Sequence, residues 1–160
     1  MIVQTRPGTT RSRLLAVCSN PPVTSGTRTL SRINQARQML GFDTAMVANL
    51  FAFPTYRSGD VAGYGDDEEG WRNAREELAA GFESCDAVLL AYGIAEPTGP
   101  ARHLHRSQVA WLNASIDQRG LPAWWVGQSP RHPSRWQRYT FREFPGVDYE
   151  IALGTALSLR

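Results

Sequence analysis

The sequence predicts an α/β fold, a three-layer sandwich in which a four-stranded parallel sheet lies between layers of helices. Three observations predict it. Four short apolar runs, LLAVC, TAMVANL, AVLLA and AWWVG, are each closed by turn-forming residues, as in strands buried on both faces. Longer stretches with helical spacing of apolar residues separate the runs, and strands alternating with helices build βαβ units. No internal repeat or linker divides the 160 residues, which is the length of one ordinary domain.

The elements follow in order. Residues 1–12, polar and holding Pro7 and Gly8, are expected to lie loosely on the surface. Leu14 to Cys18 forms the first strand, ended by Asn20-Pro21-Pro22. A helix follows with Leu30, Ile33, Ala36 and Leu40 on its apolar face, Thr29 as N-cap and Gly41 as its stop. Thr44 to Leu50 is the second strand, and 51–65 a loop rich in Pro, Gly and Tyr. Asp66-Asp67-Glu68-Glu69 stands where a helix should begin, and acids there complement the helix dipole. Trp71, Ala74, Leu78 and Phe82 mark that helix's stripe. Ala87 to Ala91 is the third strand, and 104–118 a helix anchored by Leu104, Val109, Leu112 and Ile116. Ala123 to Gly127 is the fourth strand. It opens into QSPRHPSRWQRYTFREFP, expected as a basic, aromatic loop before a short closing helix that Gly154 weakens.

Composition narrows the function. Hydrophobic residues make up 42% and charged residues 20%, an ordinary globular mix. The net charge of +2 permits nucleic-acid binding without requiring it. All 17 basic residues are Arg, which suits phosphate recognition but also follows from GC-rich coding. Cys18 and Cys85 lack metal-ligand spacing and are expected as small buried residues in a reducing compartment. The first residues lack the apolar core of a signal peptide, and no apolar run is long enough to span a membrane, so a cytoplasmic protein without membrane contact is expected. No glycine-rich dinucleotide or phosphate-binding motif and no nucleophile elbow occurs, and His103 and His105 have no partner at zinc spacing. No cofactor is expected. The acidic run at Asp66 to Glu69 is the one alternative metal candidate.

In a sheet of this kind ligands bind beyond the carboxyl ends of the strands. Three segments there carry candidate chemistry. Asn20, held off helical geometry by the proline after it, offers donors and an acceptor from a strand tip, or else closes a turn. Asn49 ends an apolar strand and needs partners from protein or ligand. Phe51 and Phe53 beside it would stack on a planar ligand or pack the core. His132 lies between Pro130 and Pro133, and Arg131, Arg135 and Arg138 alternate with Trp136 and Tyr139. That pattern fits a nucleic-acid surface, or a solvated loop whose Trp anchors in the core.

Taken together, CSNPPVTS, ANLFAFPT, AVLLAYG and RHPSRW resemble a bacterial and phage family known only as a domain of unknown function, whose members show LNPS, VNLFA, a Val-rich strand ending in WG, and a late HP loop. The resemblance runs from about Leu14 to Trp136. It departs at Gly26-Thr27-Arg28-Thr29, where that family carries Asp-Pro-Thr. The same order is more distantly similar to the uracil-DNA glycosylase superfamily, especially its mismatch-specific branch. The resemblance implies a four-stranded parallel sheet and a base pocket. In it Asn20 positions water, Asn49 reads the base, His132 contacts the base carbonyl, Ser134 lines the pocket, and Arg135-Trp136 wedge into DNA. Asn20 is an amide where strong glycosylases have a carboxylate, so it orients water without taking its proton. Pro22 replaces the usual Gly after the Asn-Pro pair.

The expectation is a nucleobase-recognising N-glycosidase acting on DNA or a nucleotide. Its base would stack on Phe51 or Phe53, and Arg131, Arg135, Trp136 and Arg138 would contact the polymer. The alternatives are a non-catalytic module that binds a nucleotide or modified base, and a hydrolase of free nucleosides or nucleotides.

Overall fold

The computed structural model of the protein describes residues 11–54, Gly63 and residues 65–160. Its sheet has five strands in the order β2-β1-β3-β4-β5. Strands β1 (Arg13–Cys18), β2 (Thr44–Asn49), β3 (Ala87–Leu90) and β4 (Ala123–Val126) run parallel, while β5 (Leu157–Leu159) pairs antiparallel with β4. The expected four-stranded parallel sheet is thus a five-stranded mixed one. Its extra strand is only three residues long and follows a helix directly.

The helices are α1 (Thr27–Leu40), α2 (Glu69–Ser84), α3 (Pro100–Gln118), α4 (Trp136–Glu143) and α5 (Tyr149–Ala156). Alternation along the strands sends side chains to opposite faces. Leu15 and Val17 of β1, with Val88 and Leu90 of β3, pack against Leu78 and Phe82 of α2 and Leu112 and Ile116 of α3. Leu14, Ala16 and Cys18, with Leu89 and Ala91, pack against Ile33 and Ala36 of α1, Trp136 of α4 and Leu153 of α5. Both faces of the sheet are therefore covered, which is why its central strands read as unbroken apolar runs.

Local details depart from expectation for identifiable reasons. Helix α1 starts two residues before Thr29, because Gly26 takes the left-handed φ of 66° that turns the chain into the helix. At its other end Gly41, with φ 80°, closes the helix as expected. Helix α3 begins a turn early at Pro100, a residue suited to a first helical position. The segment expected as a long basic loop holds a 3₁₀ turn at Pro133–Arg135 and the whole of α4. Ser12 does not lie loose: its N–H donates to Asp43 Oδ2 at 2.8 Å, and its carbonyl accepts the N–H groups of Asp43 and Thr44. Residues 1–10 and most of the loop 55–64 lie outside the described residues.

Cys18 is buried as expected, whereas Cys85, one residue past the end of α2, is only half-buried. Burial pushes the Cys18 thiol up to about 12, and burial also raises Cys85. In the acidic run, Asp67 accepts the N–H of Glu69 at 2.9 Å where α2 begins, and Glu68 pairs with Arg72. These contacts account for the run as a helix start.

Candidate functional site

The sheet order places a crossover reversal at β1. The chain passes from β1 to β2 on one side and returns to β3 on the other. The carboxyl ends of β1 and β3 therefore flank the crevice where an α/β sheet binds ligands.

Asn20, Asn49 and His132 all lie along this edge. Cys18 pairs in register with Asn49, and the two chains stay together past the strand ends, where the N–H groups of Leu50 and Phe51 donate to the carbonyls of Cys18 and Ser19. Asn20 is thus carried beside the segment that follows Asn49. The Asn20 amide donates to the Pro21 carbonyl at 3.3 Å, within a loop that folds back so that Pro22 meets Gly26. Asn49 continues the face of β2 that carries Ala45 and Val47, which pack on the α1 side. Its side chain is half-buried and makes no hydrogen bond to another described residue.

His132 arrives from β4. The N–H of Gly93 donates to the Pro130 carbonyl at 2.6 Å, and a Cβ at Gly93 would lie 3.8 Å from His132 Cβ. This lays the His132 turn across the end of β3, two strands from Asn49, or about 10 Å at ordinary strand spacing. Arg32 of α1 holds the turn by donating to the Pro133 carbonyl at 2.6 Å and to Gln137 Oε1 at 3.2 Å. The turn therefore sits on the α1 side of the sheet, the side that Asn49 faces.

The protonation state of His132 follows from its contacts. Its Nδ1 accepts the Ser134 N–H at 3.2 Å and lies 2.8 Å from Ser134 Oγ. With Nδ1 an acceptor, the neutral ring carries its proton on Nε2, where it can donate to a ligand oxygen. Burial, then the charges of Arg135 and Arg32, lower its pKa below the usual 6.5. Neither guanidinium forms an ion pair with a described carboxylate. The surroundings of the ring therefore favour an anion.

This has a consequence for stability. A histidine whose folded pKa is lowered binds its proton more readily in the unfolded chain. Its contribution is fully present above the unfolded value near 6.5 and is lost as pH falls below it toward the folded value. His105, also lowered chiefly by burial, acts in the same direction. The urea midpoint is expected to drop between about pH 6.5 and pH 5, and His132→Gln should reduce that drop. An NMR titration placing the His132 pKa above 6.5 contradicts the assignment.

Several expected residues take other roles. Phe51 is fully buried, 4.9 Å from the Trp71 ring and so close to Gly70 that a Cβ there would meet it at 2.2 Å. It packs the core and offers no face to a ligand. Phe53 is half-buried and meets Phe51 edge-on at 5.4 Å. Trp136, expected as a DNA wedge, is 0% exposed and donates from Nε1 to the Arg131 carbonyl at 2.9 Å. It anchors the His132 turn from within the core and cannot reach a nucleic acid. Arg131 folds its guanidinium over Tyr139, 4.0 Å from the ring centroid. Ser134, Arg135 and Arg138 are exposed.

Other residues gain importance. Tyr92, two residues after β3, packs with the α2–α3 cluster and stands edge-on to His105 at 6.4 Å, and Trp71 stands edge-on to the same ring at 5.9 Å. Gln108 is fully buried. Its Nε2 donates to the carbonyls of Leu50 and Trp71 at 2.9 and 2.8 Å, and its Oε1 accepts from Arg75. It thereby ties the segment after Asn49 to α2 and α3. The sequence carried a signal for it, since Leu104, Gln108 and Leu112 share one helical ridge and an amide among leucines needs partners.

Two of the acids, Asp43 and Asp86, precede β2 and β3 and so lie away from this edge. Asp43 and Asp86 accept the N–H groups of Ser12 and Arg13 at the opposite end of the sheet. Among the described residues no group of three or more His, Cys, Asp or Glu could hold a metal ion, and no helix is long and apolar enough to cross a membrane. No family model matches the chain, and neither a curated protein nor a solved structure is significantly similar to it.

Proposed function

We propose that the protein binds a nucleobase at this edge and hydrolyses its N-glycosidic bond. The observation that carries the proposal is the His132 ring, whose Nδ1 accepts the Ser134 N–H and so leaves Nε2–H to donate, with the charges of Arg135 and Arg32 acting on it and neither guanidinium paired to a described carboxylate. When a glycosidic bond breaks dissociatively, the base leaves with the bonding electrons and negative charge grows on its ring oxygen. A fixed donor in positive surroundings stabilises that charge more than the uncharged ground state, which is the condition for catalysis. Asn49 supplies an amide donor and acceptor for the edge of the base. Asn20 orients the water that adds to the sugar carbon, and the phosphate or solvent takes its proton.

The experiment is a base-release assay with the full chain on oligonucleotides and free nucleosides bearing uracil or modified bases. Release of free base by wild type, abolished in Asn20→Ala while binding persists, is the expected result. Tight binding without release across the panel would replace the hydrolase with a base-binding module.

A further inference from the structure

Helix α4 carries an outward face that base recognition does not use. At 100° per residue, Phe141 and Arg142 lie within about 60° of Arg138 around the helix axis, and Ser134 and Arg135 lie in the 3₁₀ turn that leads directly into the helix. All five are exposed, and Phe141 at 78% is more exposed than any other large apolar side chain among the described residues. Trp136 and Thr140, about 160° from Arg138, are buried in the core. Glu143 projects roughly 140° away, so the face holds three positive charges and no negative one.

The described arginines fall into two groups, and the side chains of Arg11, Arg13 and Arg28 share the unpaired one with those of this face. Arg72, Arg102, Arg106, Arg119 and Arg160 each pair with a carboxylate. Arg135, Arg138 and Arg142 form no ion pair or hydrogen bond with a described residue. Three unpaired guanidiniums around a protruding ring match phosphates alternating with unstacked bases. In a duplex the bases are already stacked, and the ring would find no partner. From Arg135 to Arg142 the chain advances about 10 Å along the helix axis, so the three guanidiniums are spread along the face. The face begins three residues after His132.

We infer that this α4 face binds a single-stranded polynucleotide, with Arg135, Arg138 and Arg142 along its phosphates and Phe141 stacked on a base. The inference rests on the proposed base site, and it names a polymer strand as the substrate that the site receives.

Anisotropy of a labelled short oligothymidylate, titrated with the full chain over a range of salt, tests it. Three phosphate contacts on a single strand give a slope of log K against log salt of about −2. Arg138→Gln should flatten the slope by about 0.7, and Phe141→Ala should weaken binding roughly 5- to 100-fold, with Phe141→Trp restoring it. Arg72→Gln, on another face, should change neither quantity. An unchanged slope in the Arg138→Gln, Arg142→Gln double variant, an unchanged affinity in Phe141→Ala, or equal affinity for duplex overturns the inference. Base release from free nucleosides without strand binding overturns this inference and leaves the proposed activity standing. Strand binding without base release does the reverse.

Discussion

Replacing Trp136 by alanine is expected to destabilise the protein by about 3–5 kcal/mol, the usual cost of deleting a fully buried aromatic side chain. The ring is 0% exposed and packs with Leu14, Ala16, Leu89 and Leu153 between the sheet, α1 and α5. Its Nε1 also satisfies the Arg131 carbonyl, which would lose its partner. The measurement is urea unfolding at neutral pH. A ring that served only as a surface wedge would leave stability within about 0.5 kcal/mol and alter DNA binding alone. That outcome would contradict the packing described above. The loss should also loosen the turn that carries His132, because Trp136 and Arg32 hold that turn from its two sides.

The second large effect concerns turnover. Removing one preorganised donor to developing negative charge slows the chemical step by about 100- to 1000-fold in other enzymes. His132→Ala is expected to lower kcat to that extent on whichever base wild type releases, with a smaller change in KM, since the donor matters most in the transition state. Ser134→Ala keeps the backbone N–H that fixes the His132 tautomer and removes only the hydroxyl contact, so its effect should be smaller. Equal losses in the two variants would mean that the ring acts only when the Ser134 hydroxyl holds it, and that the backbone N–H alone does not fix it.

The sequence made the centre of this molecule legible and left its rim obscure, for physical reasons. LLAVC, TAMVAN, AVLL and AWWV are covered on both faces of the sheet, and that coverage writes itself into the chain as unbroken apolar runs. Strand β5 escaped notice because LSL is an edge strand with its last residue exposed, and three residues carry no period. Helix α4 was hidden because its buried side rests on few residues, chiefly Trp136 and Thr140, while arginines fill the rest. Within the site, the strand-end positions of Asn20, Asn49 and His132 followed from the βαβ order alone. The roles of Phe51 and Trp136 did not. An aromatic residue in a motif packs or projects according to its neighbours, and neither the contact of Gly70 with Phe51 nor the Arg131 carbonyl at Trp136 is visible in one dimension.

The account stands on one claim, that Asn20, Asn49 and His132 act on a single ligand at the β1–β3 crevice. The most direct test titrates the isotopically labelled full chain with free uracil, and in parallel with cytosine, adenine and guanine. It follows the Asn20 and Asn49 side-chain amides and the His132 Nε2 signal by NMR. The account predicts that one of these bases moves all three signals along a common saturation curve. Saturation of the three at different concentrations, or movement of one or two while the third stays fixed, would contradict a shared site.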